Sequence, residues 1–131
     1  MSVVFEPIGF VQTQARTLPR HWSVSDVEGD LVLDASYIRG LDSMSPGDRI
    51  VVLFHFHESP PFSMDSLMQR PPHGNQGKKG VFCTCSPYRP NAIGFSIVTV
   101  LALNGNSIRV RGIDMRNGTP ILDIKPDVRP S

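Results

Sequence analysis

Cysteine is nearly absent from this sequence of 131 residues: only Cys83 and Cys85 occur, separated by one residue. Side chains two apart on a strand share a face and a structural disulfide between them would be strained, so free thiols or a site are expected. Long apolar runs are missing as well, since nothing approaches the roughly 18 residues of a membrane-spanning helix, and no membrane association is expected. Residues 1–6 carry neither the basic stretch nor the apolar core of a secretory leader, which makes the cytoplasm the expected compartment. Room for helices is short too. Twelve prolines and 11 glycines punctuate the chain, and the longest stretch free of both, Asp48 to Ser59, is 12 residues long and holds the β-formers of Arg49 to His57. A helical bundle is thereby excluded, and 40% hydrophobic against 19% charged residues excludes a disordered chain.

Net charge is low, at +1, but it hides an asymmetry. Residues 1–69 hold four Lys/Arg and nine Asp/Glu, whereas residues 70–131 hold nine Lys/Arg and three Asp. Two readings stand: a basic face for a polyanion, or opposite charges that interleave in space and cancel.

Apolar or β-branched segments recur between turn residues at 3–11, 31–33, 49–57, 80–84, 93–103, 107–113 and 119–124. This rhythm predicts one all-β domain over residues 1–131. Asn104-Gly105-Asn106 predicts a tight hairpin whose second strand turns Ile108 and Val110 to the core and Arg109 and Arg111 to water. The unbroken apolar run Ile50 to Phe54 predicts a strand covered on both faces, inside a barrel or at a subunit contact. Ser36 to Leu41 is expected to form a short helical turn that packs through Tyr37 and Ile38. Residues 59–79, with Pro60, Pro61, Pro71 and Pro72 and no strand pattern, are expected to be a long functional loop. Trp22, Met64 and Met68 are read as packing or loop anchors.

Two segments combine stiffness with polar groups. In Gly80 to Gly94, Pro87 and Pro90 fix the backbone around Ser86, Arg89 and Asn91, a preorganised grip for a polar ligand or a plain stiffened corner. In Asp114 to Pro126, Asn117-Gly118 makes a turn, and Asp123 and Lys125 then share one strand face, where a surface ion pair is the plain alternative. His55 with His57 and Cys83 with Cys85 are also i, i+2 pairs that two strands would aim together, as a tetrahedral zinc site needs. Zinc cysteines more often stand two to four residues apart, so four half-buried strand residues are expected instead, and no metal.

The same two segments carry a family resemblance. Gly80-Val-Phe-Cys-Thr-Cys-Ser-Pro-Tyr-Arg-Pro-Asn-Ala-Ile-Gly94 is similar to GVFATRSPxRPNPIG, and Asp114-Met-Arg-Asn-Gly-Thr-Pro-Ile-Leu-Asp-Ile-Lys-Pro126 to DxxDGTPVLDIKPY. These are the marks of the TrmO family (also called TsaA or YaeB) of S-adenosylmethionine-dependent tRNA methyltransferases. Pro7-Ile-Gly9 resembles its opening strand, Leu18-Pro-Arg-His21 its PRQ loop, Phe54-His-Phe-His-Glu58 its FxFHQ strand, and Arg70-Pro-Pro72 its RPP loop. The resemblance implies a closed or nearly closed β-barrel with long loops and little helix. It also implies a homodimer with S-adenosylmethionine near the subunit interface, and N6-methylation of a threonylcarbamoyl-modified adenosine at position 37 of tRNA.

The implied cofactor contacts are Pro19, Arg20, His21, His57, Glu58, Cys85, Phe95, Asn117, Gly118, Thr119 and Pro120. Arg20 would pair with the cofactor carboxylate, Glu58 accept from ribose hydroxyls and Phe95 hold adenine. Asp123 is the candidate acceptor of the amine proton, and Arg89, Asn91 and Lys125 the candidate substrate contacts. Several positions depart from the pattern. Cys85 stands where the family has Arg, removing a five-donor cation that Arg20 or Arg89 must replace. Ala92 replaces Pro, Asp127 replaces a tyrosine able to stack on a base, His21 and Glu58 replace glutamines, and Ser45-Pro-Gly-Asp48 replaces an FSH segment. They leave room for two other functions: methylation of a small molecule on the same scaffold, or a non-enzymatic RNA-binding barrel. Longer family members carry a second domain after LDIKP, whereas five residues follow Pro126 here, so the barrel and its dimer partner are expected to recognise tRNA unaided.

Overall fold

A computed structural model describes residues 1–70 and 77–130. Its strands are β1 (Gly9–Gln12), β2 (Glu28–Leu33), β3 (Arg49–His55), β4 (Met68–Gln69), β5 (Lys79–Gly80), β6 (Ile93–Asn104), β7 (Ser107–Arg111) and β8 (Pro120–Pro126). Six of them run antiparallel in the order β1-β2-β7-β6-β3-β8, and β8 pairs back onto β1 to close a barrel. The all-β expectation holds: helix among the described residues is confined to short 3₁₀ turns, the longest at Ala35–Leu41. Period-two alternation builds the interior. Val11, Leu31, Leu33, Ile50, Val52, Phe54, Val98, Val100, Ile108, Val110 and Ile121 point inward, joined by Ile113 and Met115 from the segment after β7. Each fully buried aliphatic side chain contributes about 1.5–3 kcal/mol, so this lining holds the ring shut.

The hairpin lies where expected, but its turn is centred one residue later than Asn104-Gly105. Asn104 pairs with Ser107 as part of the ladder, and Gly105 takes the positive φ, 60°, at the first central position. That single left-handed residue is the II′ pattern, which matches strand twist. The second central residue, Asn106, is freed to latch the end of β2: its carbonyl accepts from the Leu33 N–H and its side-chain amide donates to the Leu33 carbonyl.

Other expectations are corrected. In the single chain β3 alternates, with Ile50, Val52 and Phe54 buried and Val51 and Leu53 half-exposed on the outside, so the barrel itself covers one face and only a subunit contact could cover the other. Val3 to Ile8 forms no strand, and Val3, Val4 and Phe5 are exposed. Tyr37 and Ile38 do not pack; they are 46% and 44% exposed, because the turn is held by Asp34 accepting from the Ser36 N–H rather than by apolar burial. Met64 and Met68 are exposed as well. The segment 59–79 is not structureless, since it holds a 3₁₀ turn at Met64–Ser66 and pairs β4 with β5. Pro71 and Pro72 of the RPP-like segment lie outside the described residues.

The charge question is settled locally. β2 comes from the acidic half and β7 from the basic half, and they are ladder neighbours, so Arg109 lies 3.2 Å from Asp30 and 3.6 Å from Glu28. Opposite charges interleave there and cancel. Arg70, Lys78 and Lys79, beside the β4–β5 ribbon, form no ion pair among the described residues.

Candidate functional site

The C-terminal end of β3, the start of β6 and the start of β8 meet at one end of the barrel, because His55 pairs with Ile93 and Phe54 with Ile121. A β-bulge sits there: Leu53 faces Asp123 but Phe54 faces Ile121, so one residue of β8 is extra. Bulges re-aim side chains where a strand borders a site. The pairing of Phe54 with Gly94 fixes the floor. A Cβ on Gly94 would lie 2.2 Å from the Phe54 ring, so the glycine is what lets that ring lie across β6. Phe56 then packs edge-on against Phe54, with ring centroids 5.1 Å apart.

Two adjoining hollows open on this floor and share Phe54, Phe56, Pro87 and Asp114. One, of about 280 Å³, adds Leu18, His57, Glu58, Arg116 and Thr119. The other, of about 320 Å³, adds Arg20, His21, Cys85, Arg89 and Phe95. Together they reach the size of small-molecule sites. Aromatic faces, two carboxylates and three guanidiniums suit a ligand with a heterocycle, hydroxyls and a zwitterionic end, so the residues present fit S-adenosylmethionine.

Arg20 is exposed and forms no ion pair among the described residues, leaving its guanidinium available to an anion. Arg89 is committed instead, donating from Nη1 to the carbonyls of Thr84 (3.1 Å) and Ser86 (2.9 Å) on either side of Cys85. Of the two arginines that could replace the one missing at Cys85, Arg20 is the one not so tied. His21 caps the 3₁₀ turn Trp22–Val24, with Nδ1 accepting from the Ser23 N–H. Glu58 accepts from Arg116 at 2.6 Å and lies 3.7 Å from His57, so any ribose hydroxyl must share its carboxylate with those neighbours.

Asp114, a residue outside the expected site, borders both hollows. Ser96 is fully buried and donates from Oγ to Asp114 Oδ1 at 2.6 Å. Burial raises the Asp114 carboxyl above the usual carboxylate range, against the opposing pull of the Ser96 bond, the charge of His21 and the Trp22 N–H. Its only mark in the sequence is its place as the first Asp of the DxxDGTP-like segment.

The remaining candidates line neither hollow. Asn117 braces the turn, its Oδ1 accepting from the Thr13 N–H at 3.0 Å, and the Gly118 N–H donates to the Val11 carbonyl at 2.7 Å. Pro19 adjoins Arg20 without facing either hollow, while Pro120 and Asn91 border a separate groove against residues 1–7. Asp123 and Lys125 pair with each other at 3.0 Å in a different depression, beside the 3₁₀ turn Ala35–Leu41. Asp127 pins the chain after β8, accepting from Arg129 and lying 3.6 Å from Arg49, and Arg129 holds its carboxyl below the usual range. Cys83 and Cys85 are exposed and not on a strand, because the Val81 N–H bonds the Leu67 carbonyl and the chain curls into a 3₁₀ turn at Val81–Cys83. His57 lies past the end of β3, so neither i, i+2 pair has the strand geometry that the zinc alternative required.

Comparison with known proteins points to one family. A family model described as the tRNA-methyltransferase O N-terminal domain matches residues 10–130. A probable S-adenosyl-L-methionine-binding protein of Pyrococcus abyssi is 33% identical over 132 residues, covering 98% of this chain and 70% of that protein. The human tRNA (adenine(37)-N6)-methyltransferase is 44% identical over 89 residues, covering 68% of this chain and 19% of its own length. The crystal structure of TrmO from Pseudomonas aeruginosa superposes with a TM-score of 0.76 at 29% identity, covering 98% of this chain and 57% of that one. This chain thus spans little more than half of that structure and a small part of the human protein. With a family model that matches nearly end to end, and motif residues gathered at one end of the barrel, the chain belongs to the TrmO family.

Proposed function

We propose that this chain binds S-adenosylmethionine across the two hollows and methylates N6 of a threonylcarbamoyl-modified adenosine at position 37 of tRNA. The observation that carries this is the convergence of Arg20, His21, His57, Glu58, Cys85, Phe95 and Thr119, drawn from five separate segments, on two adjoining hollows. The names of the relatives support both halves, one as a cofactor-binding protein and the other as a tRNA adenine methyltransferase.

When bound, the cofactor would supply an electrophilic methyl group, to which an amine bonds in line while the C–S bond breaks and the neutral thioether S-adenosylhomocysteine leaves. The protein's task is therefore mainly to hold nucleophile and donor aligned. Arg20 pairs with the carboxylate of the cofactor, Phe95 and the Phe54 floor hold its apolar face, and Glu58 accepts from hydroxyls while Arg116 fixes its carboxylate. The amine must lose a proton, and Asp123 is the proposed acceptor. Because Asp123 faces a different depression in the single chain, that role requires a homodimer to bring it to a neighbouring site. Arg89, Asn91 and Lys125 are the proposed substrate contacts. Arg70, Lys78 and Lys79 offer charge to the tRNA backbone. A tRNA substrate goes with a cytoplasmic location, and no helix among the described residues is long and apolar enough to cross a membrane.

Calorimetry with S-adenosylmethionine tests the first half, and light scattering of the same sample tests the homodimer. Stoichiometric binding is expected, and its absence would overturn the methyltransferase reading. Binding without methylation of any tRNA would redirect it to a small-molecule acceptor.

A further inference from the structure

Among the described residues four carboxylates are partly buried: Asp30, Asp114, Asp123 and Asp127. Three have a cation within ion-pair distance, namely Arg109 for Asp30, Lys125 for Asp123, and Arg49 and Arg129 for Asp127. Asp114 has none. It is also the carboxylate that stands at the junction of the two hollows, and a fully buried serine fixes the direction of its Oδ1. A carboxylate partly withdrawn from water with no cation in ion-pair contact is a cost that a fold retains where something else supplies the charge.

We infer that Asp114, oriented by Ser96, is the anionic anchor for a positive group of the bound cofactor. This rests on the proposal above that the hollows take S-adenosylmethionine. That molecule brings two positive groups, the sulfonium and the methionine ammonium, and either satisfies the same chemistry: a cation against a half-buried carboxylate. Asp114 touches both hollows, so a ligand that spans them passes it. The raised carboxyl follows from the same arrangement, since a site prepared for a cation holds its carboxylate at a disadvantage until the cation arrives. Ligand binding therefore releases a proton wherever Asp114 is partly protonated beforehand. The other charged or titratable groups around the two hollows are Arg20 and His21 from the loop before Trp22, His57 and Glu58 after β3, Arg116 on the same turn as Asp114, and Cys85 and Arg89 from the proline corner.

The test is calorimetry of wild type and Asp114→Asn with three probes: S-adenosylmethionine, which has both cations; S-adenosylhomocysteine, which keeps only the ammonium; and methylthioadenosine, which has neither. If the sulfonium is the partner, the variant loses about ten- to a hundredfold in affinity for the first probe alone. If the ammonium is the partner, the first two weaken together and the third is unchanged. In both cases, toward acid pH where Asp114 is partly protonated before binding, wild-type binding of the affected probes releases protons, measured in buffers of different ionisation heat, and the variant lacks that component. Equal affinities in variant and wild type for all three probes would overturn the inference, as would an equal loss for all three, which would mark Asp114 as structural. Ser96→Ala provides a second arm, with the same probe pattern expected at smaller amplitude. A wild-type protein that binds none of the three would refute the cofactor reading itself, whereas binding with an unaffected variant refutes only the role of Asp114.

Discussion

Gly94→Ala puts a methyl group where the Phe54 ring now lies. The new Cβ would stand 2.2 Å from Phe54 Cε2 and Cζ and 2.8 Å from Cδ2, whereas carbon atoms pack best at about 3.5–4.0 Å. Relief requires the ring to move by more than 1 Å or so, and it has nowhere to go cheaply. Phe54 is 3% exposed, its ring is wedged against Phe56, and β3 is paired on both sides, to β6 and to β8. Overpacking of this kind costs about 1–3 kcal/mol, which for a domain of this size lowers Tm by roughly 3–5 °C per kcal/mol. Because Phe54 floors both hollows, a displaced ring also intrudes on them, and cofactor affinity should fall with stability. Urea denaturation of Gly94→Ala, Phe54→Leu and the double variant measures the coupling. The smaller side chain leaves space for the methyl group, so the double variant should be more stable than the sum of the singles by about 0.5–3 kcal/mol, with m unchanged. A Gly94→Ala protein within about 0.5 kcal/mol of wild type, or strict additivity, would refute the idea that the glycine exists to admit the ring.

Three further outcomes follow from named contacts. The Asp114 carboxyl is raised in the folded protein above its unfolded value near 3.8, so the folded state holds that proton more tightly, and stability falls as pH rises from about 4 through the raised range. Asp114→Asn, whose amide oxygen still accepts from Ser96, should therefore melt higher than wild type at pH 7–8, with the difference closing toward pH 4; a variant that melts lower at pH 8 would contradict this. Cys85→Arg restores a guanidinium to the hollow that holds Arg20 and Phe95 and should tighten S-adenosylmethionine binding roughly tenfold in calorimetry, an unchanged affinity meaning that position 85 makes no contact. Asn106→Ala removes the side-chain bond to the Leu33 carbonyl and should cost about 1 kcal/mol in denaturation while leaving cofactor affinity unaltered; a loss of affinity would mean that the hairpin end communicates with the site.

The strands were legible where the sequence alternates. In β7, Ile108 and Val110 alternate with Arg109 and Arg111, and the structure buries the first pair and exposes the second. Continuous apolar runs were less informative. Ile50 to Phe54 looks the same whether one face or two are covered, and Gly80-Val-Phe-Cys reads as a strand although only Val81 is buried and the segment curls once its N–H finds the Leu67 carbonyl. Val3 to Phe5 has strand-forming residues but lies in no ladder, and partners are a property of the whole fold.

The site was legible as motif and illegible as geometry. Arg20, His57, Glu58 and Cys85 could be picked out by resemblance, but nothing local distinguished them from Asn117, whose side chain is spent on Thr13, 104 residues away. Asp114 escaped notice for the opposite reason. Its burial and its lack of a cation arise only when Ser96 and the loop at Trp22 close around it.

The most direct test of the account is nucleoside mass spectrometry of tRNA that carries the threonylcarbamoyl adenosine at position 37, after incubation with this protein and S-adenosylmethionine. The account predicts that this nucleoside becomes heavier by one methyl group, that tRNA lacking the modification is left unchanged, and that Arg20→Ala slows the conversion. A protein that binds S-adenosylmethionine yet leaves every nucleoside at its original mass would contradict it.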